Sequence, residues 1–205
     1  GIDIDKARVR RLNSDKSFPS KKFHASADFA EIKKCKVILI TVPTPITRNK
    51  TPDTSAIEAA VKSIAKYLAK GSLVILESTT YPGTTDELVR PLLEKSGLAA
   101  GKDFYLAYAP ERIDPGNKDY AFTEVPKIVV GIDKKSTDLA STFYSTFLKN
   151  VYKVSSPRVA EFTKLLENVF RLVNVSAINE LKLLADKMGI DIWEAIEAAK
   201  TKPYG

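Results

Sequence analysis

The stretch "TKLLENVFRLVN" sets Lys164, Asn168 and Arg171 four and three residues apart. At roughly 100° per residue these three, together with Glu161, share a helical stripe about 80° wide. A lysine and an asparagine one turn apart can address the same reacting oxygen. The ammonium donates a proton or stabilises an alkoxide, and the amide N–H adds a second donor there. Arg171 brings a planar fork suited to a phosphate. A solvated face with i,i+4 pairing carries the same stripe, so the helix alone leaves both readings open.

Three loops hold the remaining chemistry. "TVPTP" stiffens a turn with two prolines and exposes Thr44 and adjacent backbone groups. "ESTTYPGTT" offers Ser78, Thr79 and Thr80 before a Pro-Gly turn, and "APERIDPGN" places Glu111, Arg112 and Asp114 between Pro110 and Pro115. Each taken singly is ordinary turn chemistry. Each also follows a short apolar run, and in a doubly wound sheet ligands bind outside the carboxyl ends of the strands. Asp3, which ends the run "GID" before a helical "KARVRRLN", sits where a carboxylate takes ribose hydroxyls in a dinucleotide-binding unit, with Asp5 as a competitor.

The elements that must position these groups alternate between apolar runs and helical patterns. Such alternation predicts an α/β fold, a doubly wound Rossmann-like parallel sheet covered by helices. Strands are expected at Ile2–Asp3, Val37–Val42, Leu73–Glu77, Phe104–Tyr108, Lys127–Val130 and Val151–Val154. One helix opens at Thr54 or Ser55 and stops at Gly71. A second, "TTDELVRPLLEKSG", is either kinked by Pro91 or begins near it. From Pro157 to Lys187 there is neither Gly nor internal Pro, which predicts one helix of roughly 30 residues. Another follows Gly189, capped by Asp191, with Trp193, Ile196 and Ala199 inward. The division falls near residue 155, with 1–155 a sheet domain and 156–205 an all-helical domain whose long helix is expected to pack a homodimer.

Composition narrows the function classes. With 44% apolar and 28% charged residues the chain is globular, and no apolar run approaches the ~18 residues of a membrane span. The net charge of +7 suits acidic, phosphate-bearing ligands. Basic residues are interspersed with acidic ones, and the densest cluster, Arg8, Arg10 and Arg11, lacks interleaved aromatics, so nucleic acid is not expected. The single cysteine, Cys35, reads as a small packing residue in a reducing, cytoplasmic setting. His24 has no second ligand at metal-binding spacing, and no metal is expected.

Taken in order, "TVPTP", "ESTTYPGTTDELV", "APERIDPGN" and "RVAEFTKLLENVFRLVNVSAINEL" resemble the UDP-glucose/GDP-mannose dehydrogenase family across essentially the whole chain. The "PERxxPGN" form and the closing "AAKTKPYG" are most similar to its UDP-N-acetylhexosamine 6-dehydrogenase branch. The resemblance implies a cytoplasmic NAD-dependent enzyme that oxidises the C6 alcohol of a UDP-sugar to a carboxylate through a cysteine thioester, consuming two NAD. It implies that Asp3 and Arg8 hold the adenosine half of NAD. Val42, Pro43, Thr44, Ser78 and Thr79 are the other implied NAD contacts, and Thr79 also holds a catalytic water. Glu111, Arg112 and Ile113 line the sugar site by the same resemblance. Lys164 matches the catalytic lysine, Asn168 its oxyanion-stabilising partner and Arg171 a substrate contact.

The chain departs from the family pattern in three places. Pro115 stands where the UDP-glucose branch has a second glutamate, leaving Glu111 or Asp114 as candidates for activating water. The glycine-rich turn expected before Asp3 and the "GGxC" nucleophile expected after "KTKPYG" are not in these 205 residues. Cys35 does not match that nucleophile. The chain therefore reads as the interior of a longer protein whose UDP-binding domain lies beyond it. The resemblance leaves open GlcNAc, ManNAc or glucose as the sugar. Two other readings stand beside it: a β-hydroxyacid or 6-phosphogluconate-type dehydrogenase, and a non-catalytic nucleotide-binding or dimerisation module.

Overall fold

The computed structural model describes residues 1–15, 22–113, 116 and 121–203. Its sheet has five strands, β1 (Val37–Ile40), β2 (Leu73–Leu76), β3 (Tyr105–Tyr108), β4 (Lys127–Gly131) and β5 (Val151–Lys153), in that spatial order. Six α-helices accompany them: α1 (Lys6–Ser14), α2 (Ser55–Ala65), α3 (Arg90–Glu94), α4 (Lys134–Ser145), α5 (Pro157–Met188) and α6 (Ile192–Lys200). Gly1–Lys164 and Leu165–Gly205 form two compact units.

Side-chain alternation along the strands builds two cores. Ile38, Ile40, Val74, Leu76, Leu106, Tyr108, Ile128 and Val130 face one side, where Ile57, Val61 and Ile64 of α2 and Leu92 and Leu93 of α3 cover them. On the opposite side Leu73, Ile75, Tyr105, Ala107 and Val129 meet Ala140 and Tyr144 of α4. Strands covered on both faces have no polar side to alternate with, which is why "LVIL" and "YLAY" read as continuous apolar runs.

Several expectations are corrected. Ile2 forms only an isolated parallel bridge to Ser26, so Ile2–Asp3 is not a strand of the sheet. Strand β4 runs antiparallel to β3, whereas β1, β2 and β3 are mutually parallel and β5 is parallel to β4. A parallel return needs a crossover, usually helical. The connection from Ala109 to Pro126 contains Pro110, Pro115 and Gly116, and no helix forms among its described residues. Helix α2 ends at Ala65 rather than running to Gly71.

Pro91 resolves the second helix into two windings. Thr84–Val89 is π-helical, and α3 begins at Arg90 with proline in its first turn. The wider turn lets the Arg90 N–H bond the Thr85 carbonyl, five residues back, ahead of a residue that has no N–H. The long helix spans 32 residues, and Asp191 caps α6 by accepting from the Trp193 N–H. No residue of α6 is buried, however, and Trp193, expected inward, is 67% exposed because no described element covers it.

Gly131 marks where β4 meets the start of α4. A Cβ there would lie 2.3 Å from the Ser136 Cβ and 2.4 Å from the Thr137 backbone nitrogen. The backbone cannot yield as a flexible side chain could, so Gly131→Ala should lower the unfolding free energy by about 1–3 kcal/mol in urea denaturation. An unchanged midpoint would show that this junction is looser than its packing implies.

Candidate functional site

Because β1, β2 and β3 are parallel neighbours, the loops that follow them share one sheet edge. The first two are bonded to each other. Thr44 Oγ1 donates to the Thr79 carbonyl (2.7 Å), Ser78 Oγ donates to the Val42 carbonyl (2.7 Å), and the Glu77 N–H reaches the Ile40 carbonyl (3.0 Å). Ser78 and Thr80 are buried, and the Thr80 and Thr84 hydroxyls bond one another at 2.6 Å. Of the three hydroxyl residues in "STT", only Thr79 is partly exposed. Val42, Pro43 and Thr44 thus lie beside Ser78 and Thr79, with the Ser78 hydroxyl acting as a brace between the two loops.

Asp3 lies next to the Ile2–Ser26 bridge, with its N–H on the Ser26 carbonyl. Its carboxylate takes the Asp5 N–H (2.9 Å) and the Arg8 guanidinium (3.1 Å). The Asp5 N–H lowers its pKa most; desolvation opposes it, and the Arg8 guanidinium adds to the lowering, so the net shift is below the ordinary value. The competitor Asp5 is instead the N-cap of α1, accepting from Ala7 and Arg8. An ionised carboxylate with unused lone pairs fits a pair of ribose hydroxyls.

The third loop is anchored by its own glutamate. Glu111 Oε1 accepts the N–H groups of Arg112 and Ile113, both at 2.7 Å, and Oε2 accepts Lys127 Nζ at 3.2 Å. Partial burial pushes its pKa up, but the Ile113 N–H, Lys127 and the Arg112 N–H outweigh that and leave it lowered. Arg112 Nη1 donates to the Pro126 carbonyl (2.6 Å), and Ile113 is exposed. Asp114, the other candidate for activating water, and Pro115 lie outside the described residues.

Two charged groups that carry much of this geometry went unassigned in the sequence. Lys127, the first residue of β4, has a side chain only 6% exposed and bonds both Glu77 (3.1 Å) and Glu111 (3.2 Å). Its ammonium lies over the Tyr144 ring, and the Tyr144 hydroxyl donates to Glu77. Burial, then Glu77, raises the Tyr144 pKa. The available signal was a charge inside each of two otherwise apolar runs, "LVILE" and "KIVVG", since a buried charge demands a partner.

Glu161 is the second such group. It is fully buried, and its carboxylate accepts the N–H of Gly83 (2.6 Å) and both the N–H and hydroxyl of Thr85 (2.8 and 2.7 Å). Gly83, at φ +103°, starts the π-helical turn without a capping side chain of its own, so Glu161 supplies the cap from α5. Burial raises the Glu161 pKa, with the three donors opposing, and Glu161 in turn helps burial to raise that of Tyr108. Lys164 follows one turn later and is half-buried. Asn168 and Arg171 continue along α5 in the second unit, where both are exposed. No group of three metal-ligating side chains occurs among the described residues.

Comparison with known proteins places this arrangement. The model of the UDP-glucose/GDP-mannose dehydrogenase family NAD binding domain matches residues 1–154, and that of the family's central domain matches residues 158–205. The chain is 38% identical to UDP-N-acetyl-D-glucosamine 6-dehydrogenase of Pseudomonas aeruginosa, over 98% of its own length and 46% of that protein. It is 40% identical to UDP-N-acetyl-D-mannosamine dehydrogenase of Pyrococcus horikoshii over 84% of its length and 41% of that protein. A solved structure of the UDP-D-ManNAc dehydrogenase from Pyrococcus horikoshii superposes with a TM-score of 0.90 at 34% identity, covering all of this chain and 52% of the other. The chain spans about half the length of the relatives it matches.

Glu161→Ala should leave two backbone N–H groups without their acceptor and cost roughly 2–5 kcal/mol, read as a lower urea midpoint. Because the native pKa of Glu111 is depressed, its contribution to stability is present above the ordinary value of 4.5 and lost as pH falls through the lowered native value. Unfolding titrations should therefore show wild type losing stability relative to Glu111→Gln on acidification below about 4.5. A constant difference between the two at every pH would contradict the anchored carboxylate.

Proposed function

This chain belongs to the UDP-glucose/GDP-mannose dehydrogenase family, and from that premise we propose that it is part of an NAD-dependent UDP-N-acetylhexosamine 6-dehydrogenase. Residues 1–155 are read as the NAD-binding domain and 156–205 as the helical central domain. The observation that best supports this reading is the bonded pair of loops at the shared edge of β1 and β2, followed in sequence by Lys164 and Asn168 one turn apart on α5. The reaction converts the C6 alcohol to a carboxylate, taking up one water and releasing two NADH and three protons.

Asp3 and Arg8 hold the adenosine ribose, while Val42, Pro43, Thr44, Ser78 and Thr79 form the rest of the cofactor's bed. NAD, when bound, supplies the acceptor for the hydride, and the other work falls to this chain's residues and a cysteine nucleophile for which Cys35, half-buried against the core, is not a candidate. Glu111, Arg112 and Ile113 line the sugar. With its pKa lowered, Glu111 is a weak base and suits accepting a hydrogen bond from the sugar or the attacking water, which Thr79 helps to hold. Lys164 moves the proton at the C6 oxygen and, with Asn168, stabilises negative charge there. Arg171 takes the substrate's phosphate side.

We read the protein as cytoplasmic, and no helix among the described residues is long and apolar enough to cross a membrane. The second unit displays Phe170 at 70% exposure together with Leu172, Val173 and Val175. Such a surface exceeds what a lone helix keeps in water, and we propose that two copies pair along α5 as a homodimer.

Two measurements test the reading. The complete protein given NAD and UDP-GlcNAc, UDP-ManNAc or UDP-glucose should release two NADH per sugar with one of them, and Lys164→Ala should lower kcat by about 10² or more. Failure to oxidise any of the three sugars, or wild-type turnover in the variant, would falsify it. In sedimentation, Val173→Glu should convert a dimer to a monomer, whereas a wild type that is already monomeric at micromolar concentration excludes pairing along α5.

A further inference from the structure

Lys127 bonds two carboxylates that come from different loops. Glu77 is the residue directly after β2, immediately before Ser78 and Thr79; Glu111 sits in the loop after β3 and fixes the N–H groups of Arg112 and Ile113. The loop is tied to the start of β4 a second time, by the Arg112 guanidinium on the Pro126 carbonyl. Tyr144 closes the cluster from α4, its ring against the Lys127 ammonium and its hydroxyl on Glu77. One cation therefore lies between two carboxylates that would otherwise repel, in a place where Lys127 is 6% and Glu77 13% exposed.

A buried ion pair is seldom retained for stability, since well-packed apolar side chains of similar volume do as well or better. What an apolar residue cannot do is draw two anionic loops to a common point. We propose that Lys127 is a positioning residue that sets the spacing between the Glu77–Thr79 loop and the Glu111–Ile113 loop, and so the fit of the sugar against the cofactor. This rests on the reading that those loops hold NAD and the sugar. Lys127 touches neither ligand in this proposal and acts through Glu111.

The test uses the complete enzyme and the variants Lys127→Met, Glu111→Gln and the double variant. With the UDP-sugar that the wild type oxidises, Lys127→Met should raise the KM for that sugar about tenfold or more while changing kcat and the KM for NAD less than about threefold. If Lys127 acts through Glu111, the double variant should be no worse than the poorer single variant. Hydrogen exchange gives a readout that needs no turnover: the Arg112 and Ile113 amides should exchange about tenfold faster in Lys127→Met, with β2 and β3 still protected. Should that variant lose its fold, Glu111→Gln, which weakens the Lys127 pairing at a carboxylate 44% exposed, carries the exchange expectation alone, and unchanged exchange there overturns the proposal. Unchanged exchange and KM in a folded variant overturn the proposal, as do additive effects in the double variant. Inactivity of the wild type on all three UDP-sugars overturns the functional reading instead, and the exchange result then stands separately.

Discussion

The carboxylate of Glu161 is the contact on which the placement of Lys164 depends. Burying it fully carries a desolvation cost that only strong partners offset, and three donors converge on it from the turn that follows the β2 loop. That turn begins at a left-handed glycine, winds as a π-helix and passes into α3, with no local side chain to cap it. One group thus answers two needs: the helix start gains its acceptor, and the first turns of α5 are held to the sheet domain. Lys164 follows three residues later, so its position is inherited from the cap.

The same economy recurs at the Lys127 cluster and in the hydroxyl residues. Thr44 and Ser78 direct their hydroxyls at neighbouring backbone and Thr80 shares a hydrogen bond with the Thr84 hydroxyl, which makes the sheet edge a stiff frame. Glu111 likewise fixes its own loop through backbone N–H groups before it can meet a ligand. Under the proposed function such a frame would be pre-organised, leaving fewer side chains to order when substrate arrives. The surrounding charges are unequal partners, since, against partial burial, hydrogen bonds and Lys127 lower the Glu111 pKa while burial favours the neutral forms of Tyr144 and Tyr108.

The second unit is different in kind. Its helices carry their apolar residues largely exposed, from Phe170 to Trp193, so their stability within this chain rests on helical hydrogen bonds, caps such as Asp191 and i,i+4 pairs such as Lys182–Asp186. Those contributions are each worth a fraction of a kcal/mol to about one, whereas a covered apolar face is worth far more. The proposed pairing along α5 would supply that missing burial, and it explains why an apolar pattern so strong in the sequence has no core to enter in the single chain.

Much of this was legible in the residues alone. The alternation of apolar runs and helical patterns, the uninterrupted stretch after Pro157, the Asp191 cap and the three loops at successive strand ends follow from local periodicity and turn chemistry, which act over a few residues. The antiparallel entry of β4, the reduction of Ile2–Asp3 to a single bridge and the exposure of Trp193 depended on what lies beside each segment, and no local pattern encodes a neighbour. The π-helical turn before Pro91 belongs between these cases: the proline announced a disruption, and packing chose its form. The stripe of Glu161, Lys164, Asn168 and Arg171 shows the division most sharply. Its spacing was written in the sequence, but the sequence could not say that Glu161 leaves the solvent and caps a glycine 78 residues earlier. Nor could it say that Lys127 lies between two glutamates from separate loops. Those decisions belong to the tertiary structure, because a buried charge is stable only where distant segments bring it partners.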